Sequence, residues 1–283
     1  VDAPEFQPGD HVIVCLSFFC GKCDYCLIGR TNLCSNKPAR APQDKPRLSR
    51  GGEPLLQFAG IGAYAEQMLV HENAVVKITK EMPLDKAALI SCGVMTGVGA
   101  ALNRAKVTPT STVAVFGVGG IGMSVIQGSR IAGARKIIAV DLLDYKLQRA
   151  REFGATDVVN ASAVDPVAAI RDLTSGGVDY AFEAIGLSET AWQAFESLRD
   201  GGQATMLGVA EPGATVEVPA AALRREKILT GSSMGSNHFK VDMPRYIELY
   251  FQGKLMLDEM ITNRYRLEGV NDAFDTLREG KVM

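Results

Sequence analysis

Residues 112–122 read Thr-Val-Ala-Val-Phe-Gly-Val-Gly-Gly-Ile-Gly. The first five are β-branched or apolar, which reads as a buried strand. Gly117-Val118-Gly119-Gly120-Ile121-Gly122 follow as G-x-G-x-x-G, and Ile121–Ala132 reads as a helix. In such a corner the first glycine permits the tight turn, the second lets the backbone approach a pyrophosphate, and the third lets helix and strand pack closely. The helix start adds free N–H groups and a partial positive charge. Asp141 ends the next apolar strand, Ile137–Val140, about 20 residues on, where a carboxylate suits the adenosine ribose hydroxyls. A 2′-phosphate would be repelled there, and Leu142 and Leu143 supply no cation, so NAD is expected over NADP.

Outward from this corner, strands alternate with helices. Thr112–Phe116, Lys136–Val140, Asp157–Val159, Val178–Phe182 and Gln203–Leu207 read as strands. Ile121–Ala132, Tyr145–Phe153, Pro166–Leu173 and Ser188–Leu198 read as helices. The alternation predicts an α/β fold, a doubly wound parallel Rossmann sheet. Before it, Pro8–Val14 reads as a turn entering a strand, 35–60 as a long surface loop, and Gly62–Lys77 as strand. Leu84–Leu102 reads as two helices. In the tail, Pro244–Gln252 and Glu268–Arg278 are helix candidates.

The chain has 283 residues, which suggests roughly two domains. Apolar residues make up 47% and the net charge is −2, so a packed core is feasible and no basic excess points to nucleic acid or an anionic membrane. Val107–Ser129 is long and uncharged, but Pro109 and five glycines make it soluble turn-and-strand sequence. No secretory leader pattern is visible, so a reducing, cytoplasmic setting is expected.

Cys20, Cys23, Cys26 and Cys34 fall within fifteen residues as C-x2-C-x2-C-x7-C. Four thiolates at such spacing suit a closed, tetrahedral structural zinc site. An iron–sulfur cluster is the rival, yet its bacterial pattern ends C-x3-C-P and here Ser35 follows a gap of seven. Disulfides are the other alternative. Cys15 reads as core. Cys92, in Ser91-Cys92-Gly93-Val94-Met95-Thr96-Gly97, stands alone among small residues, a setting in which most cysteines are inert.

Together, the four-cysteine lobe, the S-C-G-x-x-T-G segment, the glycine motif and the acidic strand end resemble, in order and spacing, the zinc-dependent medium-chain alcohol dehydrogenases. The resemblance implies a GroES-like, β-rich catalytic domain over 1–93 with a structural zinc lobe, an NAD-binding domain over 94–233, and a return to the catalytic domain over 234–283. It implies that Cys92 is a ligand of a catalytic zinc and, with Thr96, belongs to the catalytic set. Thr96 and Ile121 then pack the nicotinamide, Lys146 lies near the adenosine ribose, and Val209 offers a backbone contact to the carboxamide. Leu16 and Tyr64 line the substrate pocket, with Ser233 and Met234 nearby. The implied chemistry is hydride transfer between a primary or secondary alcohol and NAD, with zinc activating the alcohol oxygen. An apolar pocket favours medium-chain or aromatic alcohols; a glutathione adduct is the alternative substrate.

The family's other catalytic-zinc ligands lie in an early cysteine segment and a G-H-E segment, and this sequence holds neither. His11, His71 and His238 stand in other contexts. The expectation is therefore a fragment with a truncated catalytic domain, one zinc and no zinc-dependent turnover. A non-catalytic NAD-binding protein and a zinc-free reductase of the same superfamily are the alternatives. Ala214–Pro219 is expected as an edge strand able to pair with its copy, giving a homodimer or homotetramer.

Overall fold

The computed structural model describes residues 3–37, 48–280 and 282. Part of the loop expected over 35–60, residues 38–47, lies outside the described residues, as do the two residues at the start and residues 281 and 283. In the first part of the chain, β1 (His11–Val14) pairs antiparallel with β4 (Val75–Ile78). A separate hairpin joins β2 (Leu48–Arg50) to β3 (Glu53–Leu55), which replaces part of the expected loop. Of the strand expected over Gly62–Lys77, only its end enters β4. Residues 63–69 are exposed and belong to no sheet among the described residues.

Six parallel strands follow: β5 (Thr112–Phe116), β6 (Lys136–Asp141), β7 (Asp157–Asn160), β8 (Val178–Glu183), β9 (Leu198–Met206) and β10 (Ile228–Gly231). Their order is β10-β9-β8-β5-β6-β7. This is the doubly wound Rossmann sheet, and its order reverses between β5 and β8, where a ligand crevice opens at the carboxyl ends. All of β5 is buried. Its alternate residues serve opposite faces: Val113 and Val115 join one core with Ile126 and Phe153, while Ala114 and Phe116 join another with Ile138 and Phe195. Each valine, isoleucine or phenylalanine among these removed from water contributes about 1.5–3 kcal/mol, so this strand anchors the glycine corner that follows it.

Ala214–Pro219 is irregular, contrary to the expected edge strand. It has no partner strand among the described residues, and β10 occupies that edge of the sheet instead. β9 begins at Leu198, before the expected Gln203, with an irregular register against Val178–Tyr180.

The two helices expected in Leu84–Leu102 are one continuous helix, Leu84–Ala105, with π-helical turns at Ile90–Val94 and Ala100–Ala105. Its glycines serve close approach rather than a break. A Cβ on Gly97 would meet the Ile121 carbonyl oxygen at 2.4 Å, and one on Gly99 the Gly235 carbonyl oxygen at 2.6 Å. The helix sends Ile90, Val94 and Val98 into a third core with Ile13, Val76 and Phe239, and Ala100 and Ala101 into the sheet core. The division drawn between residues 93 and 94 therefore falls inside this helix. By length and composition Leu84–Ala105 could cross a membrane, but 56% of its most apolar window is buried, as in a core helix. Val107–Ser129 instead forms a turn, β5 and most of helix Gly120–Ile131.

The tail helix runs Phe239–Phe251 and carries Pro244 inside it instead of starting there. Burial explains the longer span: Phe239, Met243, Tyr246 and Ile247 share one buried face.

Candidate functional site

Gly117 turns with φ +84°, and a Cβ there would strike the Ile185 side chain at 2.4 Å. Gly122 packs so closely that a Cβ would lie 1.9 Å from the Gly117 carbonyl oxygen. Gly119 and Gly120 face open space, with nothing within 4 Å of an added Cβ. The outer glycines thus close the corner and the middle pair leaves a concave cradle at the start of helix Gly120–Ile131. This is the form a pyrophosphate needs.

Asp141 ends β6 beside this cradle. Its Oδ2 accepts from the Val118 N–H at 2.9 Å, and its Oδ1 from Leu142 at 2.8 Å and Leu143 at 3.2 Å. The carboxylate fixes the glycine turn to the end of the neighbouring strand. Lys146 is half-buried in the first turn of helix Asp144–Phe153.

A second carboxylate was not among the sequence expectations. Glu183 ends β8 and is fully buried. Its Oε1 accepts from Ile185 N–H at 2.9 Å, Gly186 N–H at 2.7 Å and the Thr190 hydroxyl at 2.9 Å. It folds the Ala184–Leu187 loop over the first glycine. Gly186 in turn abuts the Val209 carbonyl, 2.5 Å from an added Cβ, so the loops after β8 and β9 lock together and leave Val209 almost fully exposed. The sequence signal was available: an acidic residue ends an apolar strand, as Asp141 does.

Thr96 is buried, next to the Gly97 that touches Ile121. The helix crossing therefore brings Thr96 and Ile121 into one neighbourhood. Leu16 is half-buried and its carbonyl accepts from Lys37 Nζ at 3.3 Å. Tyr64 is exposed and meets Phe274 edge-on, with ring centroids 5.3 Å apart.

In the lobe, the Cys20, Cys23, Cys26 and Cys34 thiols lie within 4.8 Å of one another. Cys20–Cys26, Cys23–Cys26 and Cys23–Cys34 sulfurs are 3.9, 3.5 and 3.8 Å apart. A zinc tetrahedron with bonds of about 2.3 Å requires about 3.8 Å between sulfurs, whereas a disulfide requires about 2.05 Å. The donor set fits a structural zinc. N–H groups of Lys22 and Cys23 point at Cys20 Sγ (3.4 and 3.3 Å), and that of Cys20 at Cys34 Sγ (3.3 Å). Such donors favour thiolate. The Cys26 N–H lowers Cys23 to about 5, while crowding by protein and the Cys23 contact push Cys26 up to about 12.

Cys92 is exposed on the first π-turn. Packing on its protein side raises its pKa and a Thr96 hydrogen bond opposes that. Among the described residues, the lobe is the group of three or more ligand side chains able to share one ion, and Cys92 has no such company. Cys15 is fully buried and pushed up to about 12 by burial, as suits a core thiol. His71 Nδ1 caps a helical turn by accepting from Asn73, and His238 Nε2 contacts the Gly29 carbonyl.

A dinucleotide cradle on a doubly wound sheet, in a chain that also carries a four-thiol lobe, defines a zinc-binding nucleotide-linked dehydrogenase. Comparison with known proteins agrees. Residues 1–80 match the alcohol dehydrogenase GroES-like domain and 120–252 the zinc-binding dehydrogenase domain. The chain is 38% identical over 285 aligned residues to an alcohol dehydrogenase class-3 of Oryza sativa subsp. japonica, covering 98% of this chain and 75% of that protein. It is 37% identical to an S-(hydroxymethyl)glutathione dehydrogenase of Escherichia coli, covering 97% and 77%. Among solved structures, benzyl alcohol dehydrogenase from Acinetobacter calcoaceticus superimposes with a TM-score of 0.90 at 33% identity, covering 98% of this chain and 77% of that one. The chain belongs to the zinc-dependent medium-chain alcohol dehydrogenase family and is an NAD-dependent oxidoreductase of that kind.

Proposed function

We propose that this protein serves reversible, NAD-linked oxidation of a primary or secondary alcohol to an aldehyde or ketone, with medium-chain or aromatic alcohols favoured, and that residues 1–283 alone, in which Cys92 joins no group of ligand side chains among the described residues, show no zinc-dependent turnover. The observation that carries the reading is the open cradle at Gly119 and Gly120, closed by Gly117 and Gly122 and tied to Asp141. Bound NAD supplies the hydride acceptor. The backbone of Gly117, Val118, Gly119, Gly120, Ile121 and Gly122 holds the pyrophosphate. Asp141 holds the adenosine ribose, with Lys146 beside it, and selects against a 2′-phosphate. Thr96 and Ile121 pack one face of the nicotinamide, and Val209 offers its backbone to the carboxamide. Leu16 and Tyr64 line the alcohol pocket. Cys20, Cys23, Cys26 and Cys34 hold a structural zinc. Cys92 contributes one thiolate toward a catalytic zinc, which needs two further protein ligands.

The division into 1–93, 94–233 and 234–283 belongs to the same reading. So do a cytoplasmic setting, small-molecule partners without nucleic acid or membrane, and a homodimer or homotetramer. The half-exposed outer strand β10 supports an assembly, because a sheet edge pairs readily with its copy.

Calorimetric titration tests the cofactor half. NAD is expected to bind at least about tenfold more tightly than NADP, a difference of about 1.4 kcal/mol, and Asp141→Asn is expected to narrow that gap. Equal or tighter NADP binding refutes it. NADH formation with benzyl alcohol, ethanol and S-(hydroxymethyl)glutathione tests the substrate half: residues 1–283 alone are expected to form none that depends on zinc, and zinc-dependent turnover overturns that expectation. Turnover of ethanol alone overturns the aromatic or medium-chain assignment, and turnover of the glutathione adduct alone replaces it.

A further inference from the structure

The sheet edge opposite the glycine corner carries a cavity of about 600 Å³. It lies at the amino ends of three strands, against Thr112 of β5, Asp179 of β8 and Leu198–Asp200 of β9. Ligands of such sheets ordinarily sit at the carboxyl ends, so this cavity belongs to no part of the dinucleotide site. Arg135, Arg171, Arg199, Arg225 and Lys227 line it, against the carboxylates of Asp179 and Asp200. The chain as a whole is net negative, so this basic concentration does not follow from composition.

Three of the five cations have structural work. Arg171 donates to the Glu196 carbonyl at 2.9 Å, at the carboxyl end of helix Ser188–Glu196, and pairs with the Glu196 side chain at 2.5 Å. Arg199 pairs with Asp179, and Arg225 with Asp200 at 3.4 Å. The other Asp179 oxygen is already spent on the Thr112 N–H at 2.8 Å and hydroxyl at 2.7 Å. Lys227 and Arg135 are left with no carboxylate within ion-pair distance among the described residues. Arg135 reaches only the Thr110 carbonyl, at 3.4 Å, and Lys227 lies 5.8 Å from the Phe195 ring centre. Lys227 is half-buried, and lost hydration pulls its pKa below the usual lysine value; Arg171 and Arg225 add to this and Glu196 and Asp200 oppose it. An anion between these groups would relieve the crowding.

The chemistry of the walls narrows the ligand. Among the described residues no aromatic ring lines the cavity, so none of them stacks on a base there. Guanidinium forks and the Ser175 hydroxyl suit phosphoryl oxygens, while the Thr174 hydroxyl is committed to the Ile170 carbonyl at 2.6 Å. The volume leaves room for more than one phosphoryl group. We propose that this cavity is a second anion site that takes a compact oligophosphate, with Lys227 and Arg135 as its uncommitted cations.

Calorimetry with inorganic triphosphate, on protein saturated with NAD at low ionic strength, tests this. One site per chain is expected, weakening as salt is raised because the cations are partly exposed. The Arg135→Gln/Lys227→Gln double variant is expected to bind triphosphate at least about tenfold more weakly, while its NAD affinity, which also reports a folded domain, stays unchanged. Absence of binding in the presence of NAD overturns the proposal, as does equal binding by the double variant. Citrate binding as tightly as triphosphate overturns the phosphate assignment. Failure of these tests leaves the NAD-against-NADP comparison untouched, so the two readings fail separately.

Discussion

From Cys20 to Cys34 only Cys34 is buried, whereas in β5 every residue is. The lobe's two short helical turns bury no side chain inside the turns themselves. β5 sends alternate side chains into two cores and pairs with strands on both sides. The lobe therefore has almost no apolar area with which to offset chain entropy, and its order rests on sulfur ligands and the N–H groups aimed at them. The sheet needs no ligand for its order. Two regions of one chain thus show two sources of structure: coordination where burial is impossible, and burial where the sequence is apolar.

The largest effect that would break this contrast is metal removal. Structural zinc in small folds contributes on the order of 10 kcal/mol. A strong chelator, or Cys34→Ser, is expected to abolish amide-exchange protection over residues 20–34 while β5, β6 and β8 stay protected. Retained protection in the lobe would show that packing holds it after all. Next comes Gly122→Ala. Its Cβ would fall 1.9 Å from a backbone oxygen with nowhere to move, so a loss of about 3 kcal/mol or more is expected, with loss of NAD binding. Gly119→Ala, which meets nothing, should leave the melting temperature unchanged and weaken only NAD binding. Equal melting losses in both variants would mean that the corner is not packed as described.

The smallest effect concerns the seam between the long helix and the tail. Hydrogen bonds from Arg264 first, then Lys86, hold Asp85 down at about 2. A carboxyl lowered in the folded state contributes stability above its unfolded value of about 3.9, and loses it as pH falls toward 2. Arg264→Gln should therefore lower the melting temperature slightly at neutral pH, and the difference should shrink as acid is added. The pair is exposed, so the change is small. A difference that grows in acid would reverse the assignment.

The glycine corner, Asp141 and the four-cysteine spacing were legible because each depends on a few neighbouring residues whose offsets the chemistry dictates. The single helix Leu84–Ala105 was not, because a segment rich in small and apolar residues suits one helix or two, and only the close approach of Gly97 to Ile121 and Gly99 to Gly235 shows what its glycines do. Ala214–Pro219 read as a strand on composition alone, but a strand also needs a neighbour. Glu183 carried a readable signal, yet its role depends on the loop that folds back onto its Oε1.

Local chemistry by itself determined the dinucleotide corner, the metal lobe and the alternation of strands and helices, since turn geometry, ligand spacing and hydrophobic period act over a few residues. Only the folded chain decided what meets across distance. The sheet order set one crevice at the carboxyl ends, and the opposite edge gathered Arg135, Arg171, Arg199, Arg225 and Lys227 from separate segments. Contacts between residues far apart in sequence leave no periodic trace, because what selects them is the shape of the packed core.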